Sequence, residues 1–195
     1  MGGLRTLLRR KTDDEYGFTL IELVIVLVVI GILATITYSV AMPKYRERTY
    51  YNKAIAETSS IAAAAHLYVA QYNTWPPDVH RGVPAALDQF MQSNGINGQW
   101  SQGPWPGSYY DWDNWPPNAQ YGNVQTIQIS IRFCQPDDNA TCKKNFPKES
   151  WVTSDWDSYS SVYYCLSGAC RAHEVFPQNH PGYCLNCAAK QSDFY

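Results

Sequence analysis

The chain has 195 residues, 45% hydrophobic and 14% aromatic, with 15 Lys and Arg against 17 Asp and Glu for a formal net charge of −2. That is enough apolar side chain for one modest globular domain beside an apolar segment. The basic residues form two short clusters and no extended stripe, which argues against nucleic acid as a partner.

A short charged stretch opens the chain, with Arg5, Arg9, Arg10 and Lys11 followed closely by Asp13, Asp14 and Glu15. From Phe18 to Ala41 come 24 residues of which only Glu22 is charged. A helix rises about 1.5 Å per residue and a bilayer core is about 30 Å thick, so this run spans a membrane with some tilt. A cleaved secretory signal has a shorter apolar core, of about 7 to 15 residues, although Ser39-Val40-Ala41 looks like a signal-peptidase site. Glu22 counts against that reading, because a signal to be discarded gains nothing from a buried acid. Lys44, Arg46 and Arg48 beyond the run nearly balance the basic residues before it, so charge alone leaves the orientation open. The six cysteines settle the expectation: Cys134, Cys142, Cys165, Cys170, Cys184 and Cys187 all lie on the carboxyl side. An even, closely spaced set belongs in an oxidising compartment. The amino end is therefore expected in the cytoplasm and the rest outside it.

A carboxylate inside a bilayer costs about 2.5 to 3.5 kcal/mol on insertion scales and calls for a partner. No Lys, Arg or His lies within the run. A cut between Gly17 and Phe18 makes a new amine four residues from Glu22, and in a staggered neighbouring chain that amine can meet the carboxylate directly. The segment Gly17-Phe18-Thr19-Leu20-Ile21-Glu22, between a charged leader and a long apolar stretch, resembles the class III prepilin signal of type IV pilins and pseudopilins. The resemblance covers about residues 5 to 75. It implies that a membrane prepilin peptidase cuts after Gly17 and N-methylates Phe18, and that Glu22 is the assembly residue. It also implies residues 1–17 as leader, 18–42 as the transmembrane and assembly half of a long helix, and 43–195 as an extracytoplasmic head. The family often carries a proline inside the apolar stretch; here Pro43 lies just beyond it, where a kink is expected.

After Pro43, Tyr51, Ile55, Thr58, Ala62, Ala65, Val69 and Tyr72 recur at three- and four-residue steps, the spacing of one buried helix stripe. Arg46, Lys53, Glu57, Ser60 and Gln71 fall on the other side, and Asn73 before Trp75-Pro76-Pro77 supplies the stop. A short helix is expected over Val83 to Ser93, with Pro84 at its start and Asn94-Gly95 at its end. Residues 95 to 123 read as a long irregular loop held by its aromatics. In VQTIQISIRF, Ile127, Ile129, Ile131 and Phe133 alternate with Gln128, Ser130 and Arg132, the pattern of a half-buried strand. SVYYCLSGACRAHEV reads as a hairpin turning at Ser167-Gly168. The expected fold class is α+β: a long N-terminal helix packed on a small antiparallel sheet.

On that hairpin Cys165 faces Cys170 at bridging distance. Cys134–Cys142 and Cys184–Cys187 would close short loops, although six cysteines allow 15 connectivities. Structural disulfides are preferred to zinc ligation by Cys165, Cys170, His173, His180, Cys184 and Cys187, and to a redox role for Cys184-Leu185-Asn186-Cys187. Asp111-Trp112-Asp113-Asn114 has alternating oxygens that suit calcium, but Trp115 and Pro116 break an EF-hand, so turn capping is expected instead. No metal or cofactor is expected. Asn139-Ala140-Thr141 fits a glycosylation sequon. Trp75, Trp100, Trp105, Trp112, Trp115, Tyr109, Tyr110 and Tyr121 offer either a sugar-binding face or core, and core is preferred. His66 is read as packed or solvated. No nucleophile elbow or phosphate loop is present, which argues against an enzyme.

The resemblance thus implies a filament subunit, whose partners are copies of itself, prepilin peptidase, an inner-membrane assembly platform and membrane lipid. A type II secretion pseudopilin is the near alternative. The alternative from another class is an uncleaved, membrane-anchored binding module with the aromatic loop as its ligand face.

Overall fold

The computed structural model describes residues 17–92, 102–135, 142–174 and 180–188. The charged leader up to residue 16, the Asn139 sequon, Trp100, the Tyr121 side chain and the Asn94-Gly95 helix end lie outside the described residues. The chain divides between Pro43 and Lys44 into two compact units, each taken here by itself. Helix α1, Leu20–Tyr72, contributes to both and contains Pro43. It is long and apolar enough to cross a membrane by length and composition. In the first unit its large apolar side chains are exposed. The hydroxyls of Thr35, Thr37 and Ser39 turn back onto carbonyls of the preceding turn, as polar groups in an apolar setting do.

In the second unit α1 ends where Asn73 takes a left-handed φ of 53° and returns its N–H to the Val69 carbonyl at 2.8 Å. Its buried face is shifted from the stripe that the spacing implied, taking in Ala54, Ile61 and Ala64 and leaving Tyr51, Ile55 and Val69 only partly buried. Ala54, Thr58, Ile61, Ala62, Ala64 and Ala65 are buried, while Tyr72 is exposed. Glu57, expected in water, is half-buried and accepts a 2.6 Å hydrogen bond from the Tyr110 hydroxyl. Between 83 and 93 a 3-10 turn, Ala85–Leu87, leads into α2, Asp88–Gln92.

The sheet has four strands in the order β1 (Tyr109–Trp115), β2 (Thr126–Arg132), β3 (Ser161–Ser167) and β4 (Gly182–Cys184). The first three are antiparallel, but β4 runs parallel to β3, so the sheet is mixed rather than wholly antiparallel. The class remains α+β. Strand β1 lies within the stretch expected to be irregular. Its aromatic and acidic residues alternate, and burying the acids against Arg132 overrides the poor strand preference of Asp.

Strand β2 also departs from expectation. All seven of its residues are buried, on both faces. Ile127, Ile129 and Ile131 join Trp112, Tyr110 and Val162 in the core with the α1 stripe. Gln128, Ser130 and Arg132 lie on the opposite face, covered by the segment after β3. The expected hairpin does not form, because residues 169–172 make no strand and cross that polar face instead. The Gln128 side chain takes over the role of a neighbouring strand. Its amide accepts from the Arg171 N–H at 3.0 Å and donates to the Arg171 carbonyl at 2.7 Å.

The turn into this segment needs Gly168. Its φ is +82°, and a Cβ there would sit 2.2 Å from the Gln125 carbonyl oxygen. Gly168→Ala is expected to destabilise the protein by about 2 kcal/mol or more. Thermal unfolding of the full chain in detergent micelles, disulfides intact, checks this; an unchanged midpoint would mean that the turn relaxes freely.

Candidate functional site

The first candidate site is the start of α1. Thr19 is its N-cap and Glu22 its third residue, and together they form a capping box. The Thr19 N–H and hydroxyl donate to Glu22 Oε2 at 2.9 and 2.7 Å, and the Glu22 N–H donates back to the Thr19 hydroxyl at 3.3 Å. The other carboxylate oxygen, Oε1, accepts no hydrogen bond among the described residues. Gly17 and Phe18 precede the cap and are not helical. Phe18 is 85% exposed, and nothing lies within 4 Å of the Cβ position at Gly17. Among the described residues nothing covers the bond between them, which lies beside a carboxylate with one oxygen engaged and one unengaged. The sequence signal for this box is Thr-x-x-Glu ahead of an apolar run.

The cysteines pair as Cys134–Cys142, Cys165–Cys170 and Cys184–Cys187, with Cα separations of 5.0, 5.7 and 5.5 Å. None of the four cysteines considered for zinc is left as a thiolate, and among the described residues no cluster of His, Cys, Asp and Glu could hold a metal ion. The last loop fixes Asn186, whose side-chain amide accepts from the Cys165 N–H and donates to the Cys165 carbonyl, both at 2.8 Å.

The second candidate is a polar floor on the outer face of the sheet, under a cavity of about 300 Å³. Arg132 donates from Nε to Asp111 at 2.9 Å and from a terminal nitrogen to Asp113 at 3.4 Å. Its remaining donor reaches the Tyr159 and Ala172 carbonyls. Asp113 also accepts from Gln128 at 2.8 Å and from the Ser130 hydroxyl. Asp111 and Asp113 are therefore strand residues in an ion network, not turn caps. At the cavity wall Tyr159 packs against both His173 and His180, and His180 Nδ1 lies 2.6 Å from Asp157 Oδ2. Among the described residues the lining carries no Ser, Thr, Cys or Lys, and four of the five N–H donors of Arg132 are engaged by the protein itself. The arrangement braces the sheet.

Of the aromatics considered for a ligand face, Trp105, Trp112, Trp115 and Tyr110 are buried, and Trp75 and Tyr109 are partly buried. His66 is exposed and meets the edge of Trp75 at 5.4 Å.

In comparisons with known proteins, the family described as the prokaryotic N-terminal methylation motif matches residues 13–38. No curated protein and no solved structure matches the chain. The matched stretch holds Gly17, Phe18 and Glu22, that is, the two residues before the helix cap and the capping acid. The chain carries a class III signal of the kind found in type IV pilins and pseudopilins. Its α+β layout, a long N-terminal helix with a small sheet, is consistent with a pilin-like fold. The signal and the apolar helix support membrane anchoring, and the motif points to a structural subunit rather than an enzyme.

The polar floor makes a pH prediction. Burial pushes Asp113 up from 3.8 to about 7, helped by Asp111 and opposed by Arg132. Burial, with Arg132 and His180 adding to it, holds His173 near 3 against an ordinary 6.5. The Asp113 contribution is fully present below its unfolded pKa and is lost as pH rises through about 7. The His173 contribution has the opposite sign, present above 6.5 and lost as pH falls toward 3. Asp113→Asn removes the first and unmasks the second. Whatever the variant loses in absolute stability, its melting temperature should rise more steeply than that of the parent between about pH 4 and pH 6.5. Parallel profiles for the two proteins would show that Asp113 does not hold a proton in the folded state.

Proposed function

We propose that the protein is the structural subunit of a type IV pilus-like filament, made as a precursor in the inner membrane with its amino end in the cytoplasm. In this reading residues 1–17 are a leader, and prepilin peptidase cuts after Gly17 and methylates the Phe18 amine. The segment 18–42 holds the subunit in lipid and then packs against copies of itself in the filament. Residues 43–195 form the extracytoplasmic head. An inner-membrane assembly platform moves subunits from lipid into the filament.

The observation that carries this reading is the division of labour within one carboxylate. Glu22 Oε2 closes the helix N-terminus, while Oε1 is left for a cation. Within the subunit the helix start is already satisfied, so the amine that Oε1 takes comes most simply from a staggered neighbour. Each arriving subunit is then biased toward the one stagger at which amine and acid meet. Three short-loop disulfides in the head favour a filament exposed outside the cell over a secretion pseudopilin.

Two experiments test the proposal. N-terminal mass spectrometry of membrane and sheared surface fractions should find a chain that begins at Phe18 and carries a methyl group, and Gly17→Leu should leave the full-length precursor in the membrane. A surface chain that retains its leader would overturn the processing scheme. Glu22→Ala should be cut normally yet form no filaments. Glu22→Gln is the sharper variant, because Gln also serves at this position of a capping box but carries no charge. Filaments absent from both variants support the ion pair; filaments from Glu22→Gln would assign the residue to helix capping alone.

A further inference from the structure

A notch of about 280 Å³ on the second unit lies between α1 and the end of the sheet. It is lined by Arg48, Tyr51 and Asn52 of α1, Glu149 and Trp151 of the loop before β3, and Tyr183 of β4. Its aromatic wall is built from residues far apart in the chain. Trp151 stacks on Tyr183 with ring centroids 4.2 Å apart and planes at 23°, and Tyr51 meets Tyr183 edge-on at 6.2 Å. None of these three rings belongs to the aromatic-rich stretch that looked like a ligand face in the sequence.

The polar groups around this wall have bonding capacity to spare. Neither Arg48, Asn52 nor Glu149 makes a side-chain hydrogen bond or ion pair among the described residues. Arg48 offers only donors, Glu149 only acceptors and Asn52 both, so the rim is mixed in kind and neutral in sum. A ligand that carries one sign of charge gains little from such a balance. A purely apolar one would strand three polar groups against carbon. What fits is a compact ligand with an apolar C–H face and a ring of hydroxyls that both donate and accept. The notch falls just below the range of about 300–1,000 Å³ for small-molecule sites, room for one ring rather than a chain. The Tyr183 hydroxyl, sheltered and hydrogen-bonded to Tyr51, is pushed up to about 12 and keeps its proton.

We infer that this notch, formed by Trp151, Tyr183, Tyr51, Arg48, Asn52 and Glu149, is a binding site for a neutral saccharide ring, which packs its C–H face on the aromatics and hydrogen-bonds to the rim. The site does not depend on the filament reading, because every residue that forms it lies in the second unit.

The test is saturation-transfer NMR on the full chain in micelles of a detergent without a sugar head group. The probes are methyl β-galactoside, methyl α-glucoside and N-acetylglucosamine, each at about 10 mM, where even weak sites are occupied. At least one probe should show saturable transfer. Asn52→Ala and Glu149→Ala, whose side chains make no hydrogen bond or ion pair among the described residues, should each weaken it about fivefold or more while the melting temperature holds. Gln71→Ala, elsewhere on α1, should leave it unchanged. Silence from all three sugars overturns the inference, as does transfer that persists undiminished in both rim variants. It is overturned too if the rim variants alter self-association in the absence of any sugar response, since the notch would then be a contact between copies.

Discussion

Arg132 sits inside the sheet between Asp111 and Asp113, and the facing of the sheet follows from that placement. Side chains on a strand alternate, so a slip of one residue in β1 against β2 would drive both carboxylates into the aromatic core and bring Trp112 out beside the guanidinium. The register of the sheet sets Asp111 opposite Ser130 and Asp113 opposite Gln128, with Arg132 within reach of both acids. Buried ion pairs add little net stability compared with apolar packing, because desolvation offsets most of their attraction. What this one supplies is discrimination. The wrong register leaves three buried charges unpaired, at a cost of several kcal/mol.

The covering of the polar face follows from the same constraint. Once Gln128, Ser130 and Arg132 point away from α1, something must shield them and satisfy their remaining bonds. Residues 169–172 do so with backbone carbonyls, and the chain after Gly168 therefore crosses the sheet instead of pairing alongside β3. Arriving from that side, it later lies along β3 in the same direction, which makes β4 parallel. Two side-chain amides finish the ladder where strands are missing, Gln128 against Arg171 and Asn186 against Cys165. The disulfides Cys165–Cys170 and Cys184–Cys187 hold the chain at these two junctions, where regular pairing gives out.

The long helix, its stop at Asn73 and the isoleucine face of β2 were legible in the sequence because each rests on local periodicity or a local breaker. Strand β1 was hidden because Asp111 and Asp113 look like turn residues until a buried arginine is supplied from twenty residues away. The two-sided burial of β2 was hidden for the same reason, since alternation reports which side chains share a face and is silent on what covers the polar one. The parallel β4 has three residues and depends on a crossover that no short window contains. Trp151, Tyr51 and Tyr183 are likewise unremarkable singly, and only the fold stacks them.

At the start of α1 the physics is more compressed. A helix N-terminus in lipid has amides without partners and a partial positive charge, and a side chain that serves them must be polar. A Thr-x-x-Glu box meets that need within one turn, so the acid at position 22 has a reason to exist before any second chain arrives. The cap engages one oxygen of the carboxylate and leaves the other unengaged among the described residues. A carboxylate already held by the Thr19 N–H and hydroxyl loses less rotamer freedom when a neighbouring amine binds it than a free side chain would. Capping and assembly are then not rival explanations of Glu22. In the proposed filament reading the first prepares the geometry that the second uses, and charge alone, with the cap preserved, is the variable that separates them.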